Sequence, residues 1–495
     1  MESIEVAVLW LYYAVLAVLS VYGVHRYALV WLYYRHKKNA PKAAGQFAGE
    51  PLVCVQLPIF NEATVVERLI EAVCALDWPK DKLEIQVLDD SIDETVQIAR
   101  AKVEAMAALG HKITHIHRTD RTGFKAGALE HGLEHTSADY VAIFDADFVP
   151  LPDLLRRTLD FFTDPKIGMV QVRWGHLNRR YSLLTRIQSI LLDGHFVIEH
   201  TARNRSGRFF NFNGTAGVWR RQAIETAGGW QHDTLTEDLD LSYRAQLHGW
   251  RFVFLQEVIS PGELPVEMNA FKTQQHRWTK GSIQVCRKLL PRIWRSDVPL
   301  KAKIEATFHL TNNFSYLLMI LLALLMLPAF WVRLHDHDTV RGMIFDASLF
   351  LAATTSVLSF YLAAQREAYP DWKRTLGLFP LVVALGVGMA VNNAKAVLEA
   401  ILRRNTAFVR TPKYNVQESG GTTLQNLRYA GKSKGIGAPM IEFAFFAYFA
   451  VMTSIALSKM LWATAFFFSL FAVGFGWVAF GSTIALRPKT KLAVA

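Results

Sequence analysis

Residues 5–34 are almost continuously apolar, and apolar segments recur near 308–334, 344–364, 375–399, 438–457 and 460–486. About 20 apolar residues suffice to cross a bilayer as a helix, and in lipid each backbone polar group must be satisfied within its own segment. Both ends of the chain are therefore held to helices, and the polar stretch between them must fold as a separate, water-facing unit. The first segment has a Tyr- and Trp-rich end and stops at Arg35-His36-Lys37-Lys38, the pattern of a helix that ends in the cytoplasm. Its start, MESIEVAVLWLYY, lacks a basic n-region and a small-residue cleavage site, so 1–38 reads as an anchor and not a removable signal.

The net charge of +11 does not gather on a reading helix. Lys and Arg sit beside the apolar segments instead, at 35–38, at Arg403-Arg404, at Lys432 and Lys434, and at 489–491. That placement points to membrane lipids as partners and away from nucleic acid. Cys54, Cys74 and Cys286 have no metal-ligand spacing and cannot build a disulfide framework.

From Pro51 to about residue 294 short apolar runs alternate with helical patterns, giving a soluble domain over 51–294. LVCVQLPIF, LEIQVLDD, ITHIHR and DYVAIFDADF read as strands. NEATVVERLIEAVCAL, ETVQIARAKVEAMAAL and GFKAGALEHGLEHT read as the helices between them. Alternation of this kind predicts an α/β domain with a mostly parallel sheet, inserted between the transmembrane helices. Ligands in such sheets bind at the carboxyl ends of strands, where Asp89, Asp90, Asp145 and Asp147 fall.

FDADF places Asp145 and Asp147 two apart behind an apolar strand, a pair of hard oxygen ligands suited to Mg²⁺ or Mn²⁺ and substrate phosphates. In VLDDSID, Asp89, Ser91 and Asp93 are suited to capping the next helix, which leaves Asp90 to meet a nucleobase or ribose. Glu62 either caps a helix or reaches the same ligand. Lys125, between Gly123 and Gly127 at a helix start, suits a diphosphate, the alternative being a solvated lysine. In TEDLDL, Thr236 can cap a helix with Glu237 and Asp238 complementing its dipole, or Asp238 can act as a general base with Asp240 as competitor. Gln274-Gln275-His276-Arg277-Trp278 offers amides and a cation for phosphate or hydroxyls and an indole for a sugar face.

In this order the motifs resemble the D, D-x-D, T/E-D, Q-x-x-R-W pattern of processive, inverting family 2 glycosyltransferases, the cellulose synthase superfamily. GFKAGAL, FDADFVP, SLLTRIQSILLDGHF, FNGTAGVWR, AGGW and QQHRW are similar to the cellulose synthase-like A and C enzymes, which make mannan, glucomannan or glucan backbones, across about 51–290. The resemblance implies a GT-A-like fold. It implies nucleotide-sugar contacts at Glu62, Asp90, Lys125, Asp145, Asp147 and Arg277, and a Mg²⁺ or Mn²⁺ ion on Asp145 and Asp147. It also implies catalysis at Asp238 with Glu237 beside it, and acceptor contacts at Asn213, Gly214, Thr215, Gln274, Gln275 and Trp278. FVRTPK matches a nucleotide-covering loop at Phe408, Thr411 and Lys413 but has Arg410 where the family loop has valine.

The implied reaction is hexose transfer from UDP-glucose or GDP-mannose to the end of a β-linked glycan, coupled to export. The rival is a glycolipid synthase with a ceramide or diacylglycerol acceptor. The implied location is a bacterial inner membrane, or the Golgi in a eukaryote, with a cytoplasmic catalytic domain. If the catalytic domain and the 403–436 loop are both cytoplasmic, an even number of crossings lies between 308 and 402. The three segments there then include one that is re-entrant, interfacial or kinked, with Pro328 and Pro380 as break points. Residues 295–495 as a whole are expected to form interfacial and transmembrane helices.

Overall fold

The computed structural model describes residues 3–335, 339–404, 410–416 and 437–484. After helix α1 (Ser3–His36), the chain alternates strand and helix: β1 (Val53–Ile59), α2 (Val66–Cys74), β2 (Leu83–Asp89), α3 (Thr95–Ala108), β3 (Lys112–His117), α4 (Phe124–Glu134) and β4 (Tyr140–Ile143). Then come α5 (Leu154–Thr158), β5 (Ile167–His176), α6 (Leu183–Asp193), α7 (Thr201–Arg205), β6 (Gly217–Arg220), α8 (Arg221–Thr226), α9 (Glu237–Leu247) and β7 (Arg251–Gly262). One seven-stranded sheet results, in the order β3-β2-β1-β4-β6-β5-β7, with β6 alone antiparallel to its neighbours. The α/β reading thus holds, and β6 explains why the sheet is only mostly parallel.

The strands form where sequence and burial agree. β1 is buried at six of its seven positions, as a strand covered on both faces must be. α2 turns Val66, Leu69, Ile70 and Val73 inward at helical spacing. It starts later than its pattern suggests, because Asn61 adopts φ 54° and is tied to the end of β2: its N–H donates to Ser91 Oγ, and its Oδ1 accepts from Ile92 N. β4 likewise stops at Ile143, short of FDADF. Asp145 N donates to the Thr215 hydroxyl and not to a neighbouring strand, and Phe148 N turns back to Asp145 O.

Beyond the sheet lie α10 (Met268–Arg295), α11 (Leu300–Thr311), α12 (Ser315–His335), α13 (Thr339–Ala368), α14 (Phe379–Gly388), α15 (Ala390–Ile401), α16 (Gly437–Ser458) and α17 (Trp462–Ile484). Among the described residues, five helical stretches are long and apolar enough to cross a membrane: Ile4–His36, Leu300–Arg333, Trp372–Ile401, Gly437–Ser458 and Trp462–Thr483. Pro328 is absorbed inside α12, whereas Pro380 opens α14, and the 375–399 segment is divided at Met389 between α14 and α15. α14 and α17 approach until a Cβ on Gly388 would lie 2.2 Å from Gly474 O, a contact only small residues permit.

Candidate active site

The carboxyl ends of the parallel strands and the start of β6 border one cleft of about 1350 Å³, counted to its open mouth. Its lining includes Glu62, Asp90, Lys125, Asp145, Asp147, Asn213, Gly214, Glu237, Asp238, Gln274, Arg277, Trp278, Thr411 and Lys413. Residues that the sequence scatters over 350 positions therefore share one surface. Thr215 and Gln275 are not part of it. Thr215 is fully buried, and its hydroxyl braces the Asp145 backbone. Helical spacing on α10 brings Gln274, Arg277 and Trp278 to the cleft, leaving Gln275 off that row. Phe408 lies outside the described residues, as does most of 403–436.

Asp90 is held bidentately by Arg118, at 2.8 and 2.6 Å. Asp93 supplies the helix-start hydrogen bond, accepting from Thr95 N, while Asp89 accepts from Ser91 N and meets His115 at 2.9 Å. Beside Asp90 the Arg121 guanidinium lies 3.4 Å from the centre of the Phe60 ring, a flat cationic slot that motif reading overlooked. Glu62 caps nothing with its side chain; its carboxylate faces Arg410 at 3.2 Å.

Lys125 Nζ donates to Asp145 Oδ1 at 2.5 Å and to Gly214 O at 2.8 Å. Burial works against its charge, but Asp145, Glu237 and Asp238 outweigh that and hold the ammonium above the ordinary lysine range. Asp147 is paired with Lys413. That lysine's segment is anchored by Thr64 Oγ1 to Lys413 O, by Arg68 to Asn415, and by Tyr414 N to Glu263. Glu263, a cleft carboxylate missed from sequence, is buried, which raises its pKa against the pull of Arg68 and Lys413.

Asp238 and Asp240 separate here. Asp240 is fully buried, bound to Arg244 at 2.7 Å and Lys288 at 2.9 Å, and absent from the cleft. Asp238 lines the cleft and is pushed up to about 7, by burial first and by Glu237 second, against the pull of Lys125. Thr236 makes no capping hydrogen bond, so this helix start is not explained as a cap. Gly214, at φ +82°, lets the chain pass so close that a Cβ there would sit 3.1 Å from Asp238 Oδ2. Trp278 and Trp174, the latter on β5, form an apolar wall with ring centres 6.4 Å apart. Seven carboxylates and five Lys or Arg side chains line the cleft. The two ammonium groups already seated on Asp145 and Asp147 mark where a cation is stabilised.

Residues 51–281 match the family model described as glycosyltransferase-like family 2. That stretch is similar to family 2 glycosyltransferases. Glucomannan 4-beta-mannosyltransferase 1 of Oryza sativa subsp. japonica is 46% identical over 269 residues, covering 53% of this chain and 51% of the relative. Glucomannan 4-beta-mannosyltransferase 2 of Arabidopsis thaliana is 46% identical over 251 residues, covering 50% of this chain and 47% of the relative. The chain thus aligns with about half the length of the curated relatives it matches. A mannosyltransferase from Pyrobaculum calidifontis, solved with GDP-mannose and Mn²⁺, superposes with a TM-score of 0.52 at 19% identity, over 79% of this chain and all of that one. It shares the GT-A-like fold of the domain.

Proposed function

We propose that the chain is a membrane-embedded inverting hexosyltransferase that moves mannose from GDP-mannose to the end of a β-linked glycan. One observation carries the reading: Lys125 joins Asp145 to the Gly214 turn, and that turn abuts Asp238. A leaving diphosphate and a base are thereby set on either side of one reacting carbon.

Asp238 takes the proton of an acceptor hydroxyl, whose oxygen attacks the anomeric carbon as the bond to the diphosphate breaks. Attack from the face opposite the leaving group inverts that carbon, so an α-linked donor gives a β-linkage. A base poised near 7 suits this task, being half ionised at neutral pH and able to hold a proton. Lys125 and Arg277 face the charge that builds on the departing diphosphate. Asp145 and Asp147 would hold a Mg²⁺ or Mn²⁺ ion, which neutralises diphosphate charge when bound. The slot of Phe60, Arg121 and Asp90 takes the base, with Asp90 accepting hydrogen bonds. Trp278 and Trp174 give the acceptor sugar a stacking surface. Thr411 and Lys413 close over the donor.

The test is full-length protein in nanodiscs, given radiolabelled GDP-mannose and UDP-glucose in parallel with Mn²⁺. The expected product is large, labelled from GDP-mannose and digested by a β-mannanase. A glucanase-sensitive product from UDP-glucose would overturn the donor. A lipid-extractable product would replace the polymer with a glycolipid.

A further inference from the structure

Between α6 and α7 the helix widens into a π turn over Gly194–His200, a feature that often marks functional sites. The turn directs two histidines at Asn213, on the cleft wall next to the Gly214 turn. His195 Nε2 lies 2.9 Å from Asn213 Nδ2, and His200 Nε2 lies 2.5 Å from Asn213 Oδ1. On its other side His195 Nδ1 meets Glu199 Oε2 at 2.8 Å, and Glu199 in turn faces Arg203 at 3.2 Å.

With both imidazoles neutral, the donors and acceptors permit one assignment. Burial opposes the Glu199 charge, but Arg203 and His195 outweigh it and hold the carboxyl well below the usual range, so it only accepts. His195 therefore carries its proton on Nδ1 and offers a bare Nε2, to which the Asn213 N–H donates. His200 is fully buried, which with His195 nearby keeps it neutral, and its Nδ1 has no hydrogen-bond partner. A proton there would be a buried donor with nothing to meet, so it sits on Nε2 and is donated to Asn213 Oδ1. Both rings thus select the same amide flip. The opposite flip would set Asn213 Oδ1 against the bare Nε2 of His195 and force an unpartnered N–H into the interior at His200. Asn213 keeps one N–H and one carbonyl lone pair for the cleft.

The geometry points to Glu199, His195 and His200 as positioning residues that lock the Asn213 amide in one orientation, so that it grips an acceptor-sugar hydroxyl beside the one that Asp238 deprotonates. This rests on the proposed transfer reaction. It predicts that loss of the lock harms the sugar acceptor and spares the donor site.

The experiment partitions donor turnover in nanodiscs with GDP-mannose and Mn²⁺, comparing GDP released to water with mannose built into polymer. His195→Phe is expected to keep GDP affinity and donor hydrolysis within about twofold while incorporation falls about tenfold or more. His195→Gln, whose amide can accept from Asn213 and donate to Glu199, is expected to return within about threefold of the unmodified protein. Equal defects in the two variants, or an unchanged partition in His195→Phe, would overturn the lock. Should His195→Phe fail to bind GDP, Glu199→Gln reads the same question: it leaves the tautomer free and is expected to lower incorporation with GDP binding intact. An unchanged partition there overturns the lock as well. Failure of the transfer reading is distinct, since unmodified protein would then release no GDP, and the role given to Asn213 falls with it.

Discussion

Replacing Asp238 by asparagine should remove the reaction and strengthen the fold together. Asp238 is raised from its ordinary 3.8 to about 7, a difference worth about 4 kcal/mol once the group is ionised. The side chain lines an open cleft, so water trims the cost, and about 2 kcal/mol is a fair figure. The sign follows from linkage. A carboxyl whose folded pKa is raised lends stability that is complete below the unfolded value and is lost as pH rises through the folded one. Ionised Asp238 therefore weighs against the fold at pH 8, and asparagine, which cannot ionise, escapes that weight. The melting temperature of Asp238→Asn in detergent should exceed that of the unmodified protein by about 2–4 °C at pH 8. The gap should narrow as pH falls from 7 toward 4. Transfer should drop by about 10²–10⁴-fold with GDP binding kept, and the unmodified rate should climb between pH 6 and 8. Unchanged transfer would refute the base. An inactive variant that melts no higher at pH 8 would refute the raised pKa.

Gly214→Ala meets both a left-handed φ and the Asp238 carboxylate, so transfer should fall by at least about tenfold, read as mannose incorporation. Lys413→Met leaves Asp147 without its ammonium, and nucleotide-free protein should bind Mn²⁺ several-fold more tightly by electron paramagnetic resonance. Cys54 is pushed up to about 12, and Cys74 and Cys286 to about 11, all by burial, so maleimide should label none of them at pH 7.5 until the protein unfolds. Gly388→Leu cannot fit against Gly474 and should lower the yield of monodisperse protein in detergent.

What was legible in the sequence was local. β1, β2 and β3 announced themselves as apolar runs ended by polar residues, and the carboxylates fell at strand ends because a parallel sheet puts its loops there. Where a tertiary contact set the boundary, the pattern misled. Asn61 delays α2 through its tie to Ser91, and Thr215 ends β4 by taking the Asp145 N–H. Asp238 and Asp240 could not be ranked from TEDLDL, since only folding reveals that Arg244 and Lys288 consume Asp240. The Arg118 clamp on Asp90, the Arg121 slot and the imidazoles around Asn213 were invisible for the same reason. Each depends on a partner from another element, and no spacing rule connects them.

The pairing of Asp147 with Lys413 spans 266 residues, and α10 to α15 are all made before Lys413. A nascent chain that has completed its sheet therefore still lacks the lysine that pairs with Asp147. The cleft acquires Thr411 and Lys413 only after those helices have been made. Completion of the cleft becomes a late event of synthesis, and a chain stalled before residue 410 would hold the sheet without Thr411 and Lys413.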